Sequence, residues 1–150
     1  MRRFNLITGE TEADHSREGF TWRAARLGDV LGSERIGATL YDLPHGERTW
    51  PYHYHHGVEE WLYVVAGSPT LRTPEGERTL RPGDVVCFAA DATGAHAVTG
   101  PGRVLIVSAN RSPSICVYPD SDKLGARLGT DTRDNLNFRR QDAIGYWEGE

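Results

Sequence analysis

Three of the six histidines fall within four residues, His53-Tyr54-His55-His56, and Glu60 follows His55 by five positions. On an extended strand, residues i and i+2 project to one face with their Cα atoms about 6.5–7 Å apart. Two imidazoles so placed can converge on one ion at about 2.0–2.1 Å per bond. The Gly57-Val58-Glu59-Glu60 stretch can turn the chain and return a carboxylate from the next strand to the same point. Such a donor set suits one divalent transition metal ion per chain, Fe, Mn, Ni, Co, Cu or Zn, without choosing among them. With coordination positions left open, an ion of this kind can polarise a substrate or activate dioxygen.

The elements that must hold these groups are short. Between about residues 36 and 110 the runs Ile36–Leu43, Trp61–Ala66, Thr70–Thr73, Arg78–Leu80, Val85–Ala89, His96–Thr99 and Val104–Ala109 are rich in residues that favour strands. Pro44-His45-Gly46, Gly67-Ser68-Pro69, Pro74-Glu75-Gly76, Arg81-Pro82-Gly83-Asp84 and Gly100-Pro101-Gly102 separate them. Proline presets φ at one turn position and glycine supplies a positive φ at another, so each group predicts a turn. Thr70–Leu80 reads as a β-hairpin around Pro74-Glu75-Gly76. The pattern predicts an all-β sandwich or small barrel and no βαβ units.

Alternation then assigns faces. If Glu60 points inward, Leu62 and Val64 share its face, while Glu59, Trp61, Tyr63 and Val65 point outward and His56 turns away from His55. Trp61 and Tyr63 would form an outer patch that needs cover, from the chain's own termini or from a second copy, and a homodimer is expected. Tyr41, Arg48, Trp50 and Tyr52 lie near the mouth of this site in sequence and are the expected lining of a small-molecule pocket.

Composition sets the frame. The chain has 150 residues, 38% of them apolar and 25% charged, with a formal charge of −4. One domain spanning 1–150 is expected, with its barrel core at about 36–110 and both termini packed on the barrel exterior or across a subunit boundary. Mild acidity and the absence of a basic run argue against nucleic-acid binding. No apolar run approaches the ~20 residues of a membrane helix. The start, MRRFNLITGETEAD, has no apolar segment of the export type, so a cytoplasmic protein is expected. Cys87 and Cys116 are then expected to be reduced thiols, packed in or against the core.

Gly46, His53-Tyr54-His55, Glu60 and Gly67 together resemble the first motif of the cupin superfamily, and Gly83-Asp84-Val85-Val86-Cys87-Phe88 with Gly94-Ala95-His96 resembles the second. Residues 68–82 between the motifs match the short spacing of small single-domain bacterial cupins. The departures, six residues between Gly46 and His53 and Ala89 after Phe88, fall in loops and not at the metal-binding positions. The resemblance implies a double-stranded β-helix, a jelly-roll-like barrel with N- and C-terminal extensions. It also implies that His96 joins His53, His55 and Glu60 around the metal.

Three functions fit these observations. The first is a metal-dependent enzyme acting on a small organic molecule by oxygen activation, isomerisation or hydrolysis, such as a dioxygenase or an isomerase. The second is a metal-assisted binding or sensing protein without turnover, and the third is a dimer in which the ion only braces the barrel. One scaffold hosts many chemistries, so the fold alone does not choose.

Overall fold

The computed structural model describes residues 1–129 and 135–150. Its strands are β1 (Ala13–His15), β2 (Trp22–Arg26), β3 (Ile36–Leu43), β4 (Tyr54–His56), β5 (Glu60–Gly67), β6 (Thr70–Thr73), β7 (Gly76–Thr79), β8 (Val85–Phe88), β9 (Ala97–Thr99), β10 (Gly102–Ala109), β11 (Ser114–Tyr118), β12 (Lys123–Arg127) and β13 (Leu136–Arg139). A five-residue helix, α1 (Leu27–Leu31), follows β2 and stops at Gly32, whose φ of 73° suits a residue without a Cβ. The strands β3 and β5 to β10 lie where the β-rich runs predict them, while β1, β2, β4 and β11 to β13 fall outside those runs, and β6 and β7 form the expected hairpin with Thr73 opposite Gly76.

One wall is a six-stranded antiparallel sheet in the order β1-β2-β3-β10-β5-β8. The other is built from two smaller sheets, β13-β12-β11-β4 and β7-β6-β9. These two are joined by a single bridge in which His53 N–H donates to His96 O at 3.1 Å and His96 N–H donates to His53 O at 2.8 Å. The seam of that wall therefore runs through two of the histidines singled out above.

Between the walls lies a core of Trp22, Tyr41, Leu43, Leu62, Val64, Leu71, Leu80, Phe88, Val98 and Val104. Leu62 and Val64 are fully buried, whereas Trp61 is 50% exposed and Tyr63 36% exposed on the opposite face of β5. This is the alternation that an inward Glu60 requires. A second cluster forms outside the large sheet, where Phe4 and Leu6 pack near Leu40, Val65 and Leu105. Asp42 on β3 ties this layer down. Its carboxylate accepts from Arg103 Nε at 2.6 Å and Nη2 at 2.7 Å, and Arg103 Nη1 donates to Ile7 O at 2.7 Å.

Two expectations are corrected. The segment after residue 110 is not merely an extension laid on the barrel, because β11 pairs with β4 and is part of the wall. Its alternating Cys116 and Val117 are both buried, which a half-exposed covering segment would not achieve. Ile144, Tyr146 and Trp147 of the tail are exposed on this chain. Cys87 is exposed and not in the core, since it pairs opposite Trp61 and so shares the outward face of that ring.

Candidate metal centre

His53, His55, Glu60 and His96 meet at one end of the barrel. Glu60 Oε2 lies 4.0 Å from His53 Nε2, 3.4 Å from His55 Nε2 and 3.5 Å from His96 Nε2. Four elements bring them together: the bridge residue His53, β4 for His55, the first residue of β5 for Glu60, and the bridge residue His96 before β9. His56, one residue past His55, is exposed and turned away, as alternation predicts.

The backbone fixes the direction of two rings. His53 Nδ1 is 2.8 Å from Pro51 O and His96 Nδ1 is 2.9 Å from Gly94 O, so each Nδ1 carries the proton and each Nε2 presents a lone pair towards Glu60. Phe88 stacks on the His96 ring at 3.7 Å, which fixes its plane. Gly94 is required for this placement, because a Cβ there would collide with the Ala89 backbone. His55 is less constrained: its Nδ1 is buried and has no hydrogen-bond partner among the described residues.

Electrostatics favour an acceptor cluster. Burial, reinforced by His96 and His55, pushes His53 down to about 4, and burial also lowers His96. Both imidazoles are therefore neutral near pH 7. Burial acts to raise Glu60, but the hydrogen bond from His55 and the surrounding imidazoles outweigh it and hold the carboxyl below its usual range. Two fixed lone pairs and an anionic oxygen face one another at separations longer than a good hydrogen bond. Ligand atoms around one ion at 2.1 Å would stand about 3.0–3.4 Å apart for octahedral to tetrahedral geometry. The 3.4–4.0 Å between Glu60 Oε2 and the three Nε2 atoms needs only a small contraction, and ligand atoms of His53, Glu60 and His96 lie within 4.8 Å of one another. The donor set and the orphaned His55 Nδ1 thus fit a dication, with three nitrogens and one oxygen available to hold it.

The cluster forms one wall of a cavity of about 320 Å³. Tyr41 and Trp50 line it, and Trp50 Nε1 donates to Tyr41 Oη at 3.2 Å. Arg48 and Tyr52 do not. Between the bridge residues Arg48 and His53 the chain runs through bends at 49–52 that include Pro51, not along a strand, so nearness in sequence does not place Arg48 and Tyr52 in the cavity. Arg48 instead lies over the Phe20 ring, and Tyr52 lies beneath the Arg72 guanidinium.

Among the lining residues that escaped the sequence reading are Cys116, Tyr118 and Arg127. Cys116 sits directly across from His55 in the β4–β11 pairing, and its Sγ lies within 4.8 Å of ligand atoms of both His53 and His55. Burial pushes the Cys116 thiol up to about 11 and the Tyr118 hydroxyl up to about 12, so both keep their protons at neutral pH. Only their i, i+2 spacing in a β-rich run, Ser114–Tyr118, hinted at a common face.

A cupin-domain family profile matches residues 39–109, and the fold is the cupin double-stranded β-helix. A protein of Acidithiobacillus ferrooxidans provisionally assigned as a sugar phosphate isomerase is similar at 25% identity, with 93% of this chain and 89% of that one covered and a TM-score of 0.78. A sugar phosphate isomerase of Silicibacter pomeroyi, described as from a cupin superfamily, is similar in fold at 22% identity, with 94% of each chain covered and a TM-score of 0.77. A cupin-like protein of Thermotoga maritima shares the fold at 20% identity over 71% of this chain and 85% of that one, with a TM-score of 0.56. No curated protein matches the chain.

Proposed function

We propose that this cupin-family chain holds one divalent transition metal ion on His53, His55, Glu60 and His96 and is an enzyme that isomerises a small, sugar-like organic molecule. The observation that carries the reading is the convergence of three imidazoles on one buried carboxylate at the wall of a cavity sized for a small substrate. When bound, the ion supplies a Lewis acid that polarises a substrate oxygen. The chain's own groups supply the rest. Tyr118 and Tyr41, both kept protonated by burial, can donate to an oxygen on which charge develops. Ile106 and Trp50 give the cavity apolar walls that exclude water from the reacting carbons.

Isomerisation is favoured over oxygen activation and hydrolysis by the likeness, at 25% identity and nearly full coverage, to the Acidithiobacillus protein. The test is proton exchange. The protein is reconstituted with each of Fe, Mn, Ni, Co, Cu and Zn and incubated with aldoses, ketoses and their phosphates in D2O. Deuterium should enter at the carbon beside the carbonyl without uptake of dioxygen. Dioxygen consumption coupled to substrate loss would assign it to the oxygenases instead. Tight metal binding without exchange or turnover across the panel would leave a binding protein.

The reading includes a cytoplasmic homodimer. Its support is the outward patch of Trp61, Tyr63 and Val85, the exposed Tyr146 and Trp147 of the tail, and an exposed free thiol at Cys87.

A further inference from the structure

Among the described residues the cavity lining carries one permanent cation, and it comes from the far end of the chain. Directly opposed residues of an antiparallel pair share a face. Ser114 opposes Arg127, Cys116 opposes Gly125 and Tyr118 opposes Lys123, so Arg127 shares the face that carries Cys116 and Tyr118. Its guanidinium runs back across Gly125 to reach Tyr118, with Nη2 donating to Tyr118 Oη at 2.8 Å. Gly125 makes this path available, since a Cβ there would stand 3.0 Å from Arg127 Nη2 and 3.2 Å from its Cζ. On the other side Asn137 Oδ1 accepts from Nη1 and Nη2, both at 3.4 Å.

All of these partners are neutral. Among the described residues no carboxylate lies within ion-pair distance of Arg127. Glu60, the one carboxylate among the described lining residues, is committed to the three imidazoles. A guanidinium that is aimed by two neutral acceptors, lines a cavity and has no carboxylate partner among the described residues is arranged to receive an anion, and its planar fork suits the paired oxygens of phosphate or carboxylate.

We propose that Arg127, positioned by Tyr118, Asn137 and the gap at Gly125, binds an anionic group of the substrate, so that the cavity selects small organic phosphates or carboxylates over neutral molecules of the same skeleton. This rests on the cavity being a substrate site, as proposed above, but not on the presence of the metal. The cation lies on the β12 side and the imidazole cluster on the β4 and β9 side. A substrate bridging them presents its anionic group to Arg127 and its reactive oxygen to the histidine cluster.

The test titrates glucose 6-phosphate, gluconate and glucose by calorimetry into wild type, Arg127→Gln and Arg127→Lys, each metal-loaded and chelator-treated, with bound metal measured on every sample. The three probes share a six-carbon skeleton, so the better of the two anions identifies which group the site reads. At least one anion should bind wild type tenfold or more tightly than glucose. Arg127→Gln should weaken that anion roughly ten- to hundredfold, the range for a charge-assisted contact, while leaving glucose affinity and metal content unchanged. Arg127→Lys should recover part of the loss. Failure of the metal reading shows separately, as wild type that takes up no ion yet still prefers the anion. The proposal is overturned if neither anion binds, if glucose binds as tightly as both, or if Arg127→Gln binds the anions like wild type. Equal loss of glucose and anion affinity, or a loss of metal or of the far-ultraviolet spectrum that Arg127→Lys shares, also overturns it by making Arg127 structural.

Discussion

Replacing Glu60 by Gln separates the ion-holding reading of the cluster from a purely hydrogen-bonded one. The Glu60 side chain is only 13% exposed, and its Oε2 is the common neighbour of three Nε2 atoms at 3.4–4.0 Å. The substitution keeps the shape but removes the negative charge beside the dication. Stripping one partner from a buried charge interaction costs about 3–5 kcal/mol, which raises the metal Kd by about two to four orders of magnitude. In the wild type, free metal at about 100 times Kd stabilises the fold by about 2.7 kcal/mol. For a chain of this size that moves Tm by about 5–11 °C. At the same metal concentration the Glu60→Gln protein sits at or below its own Kd, so its gain falls to about 0.4 kcal/mol or less, about 1–2 °C. The metal-free proteins should differ in the other sense, because the Gln amide can donate to an imidazole lone pair that a carboxylate only repels. Glu59→Gln is the control. Glu59 faces outward and accepts from Trp61 Nε1 at 3.0 Å, so its variant should take up metal like wild type. Calorimetric unfolding with and without metal, together with elemental analysis, measures both. A metal-induced shift of wild-type size in Glu60→Gln, or its loss in Glu59→Gln, would refute the assignment of Glu60 to the ion.

Two further outcomes follow from the packing. The Arg103 hydrogen bonds hold the Asp42 carboxyl below its ordinary 3.8, with Thr11 adding a further bond against the opposing effect of burial. A depressed folded-state value gives stability that is present above the ordinary carboxylate range and lost as pH falls through the lower folded value. Asp42→Asn should therefore cost about 1–2 kcal/mol near neutral pH, allowing for solvent screening of a partly exposed pair, and should flatten the acid limb below about pH 4. Denaturant unfolding at a series of pH values reads both, and an unchanged acid limb would remove the pair from the account. For the proposed homodimer, Trp61→Glu combined with Tyr63→Glu should convert a dimer to a monomer in light scattering at micromolar concentration. A monomeric wild type would discard the dimer, and a dimeric double variant would move its interface off the outer face of β5.

What the sequence determined is local. The strands from Ile36 to Ala109, the hairpin at Pro74-Glu75-Gly76 and the opposite facing of Glu60 and Trp61 all follow from alternation and turn chemistry. These depend on residues within a few positions of each other, and side-chain direction along a strand has a period of two wherever the strand stays regular. The convergence of His53, His55 and Glu60 was legible for the same reason, while His96 needed the resemblance. Nearness in sequence misled where the backbone is irregular, at the bends around Pro51 that separate Arg48 and Tyr52 from Trp50. The tertiary structure decided what stands across the cavity. Cys116 faces His55, and Arg127 reaches Tyr118 over Gly125, because β11 pairs with β4 and β12 pairs with β11. Nothing in the composition of Ser114–Tyr118 or Lys123–Arg127 names its partner strand. Pairing across some sixty residues is set by which edge is left open once the core has closed, and that is a property of the folded barrel alone.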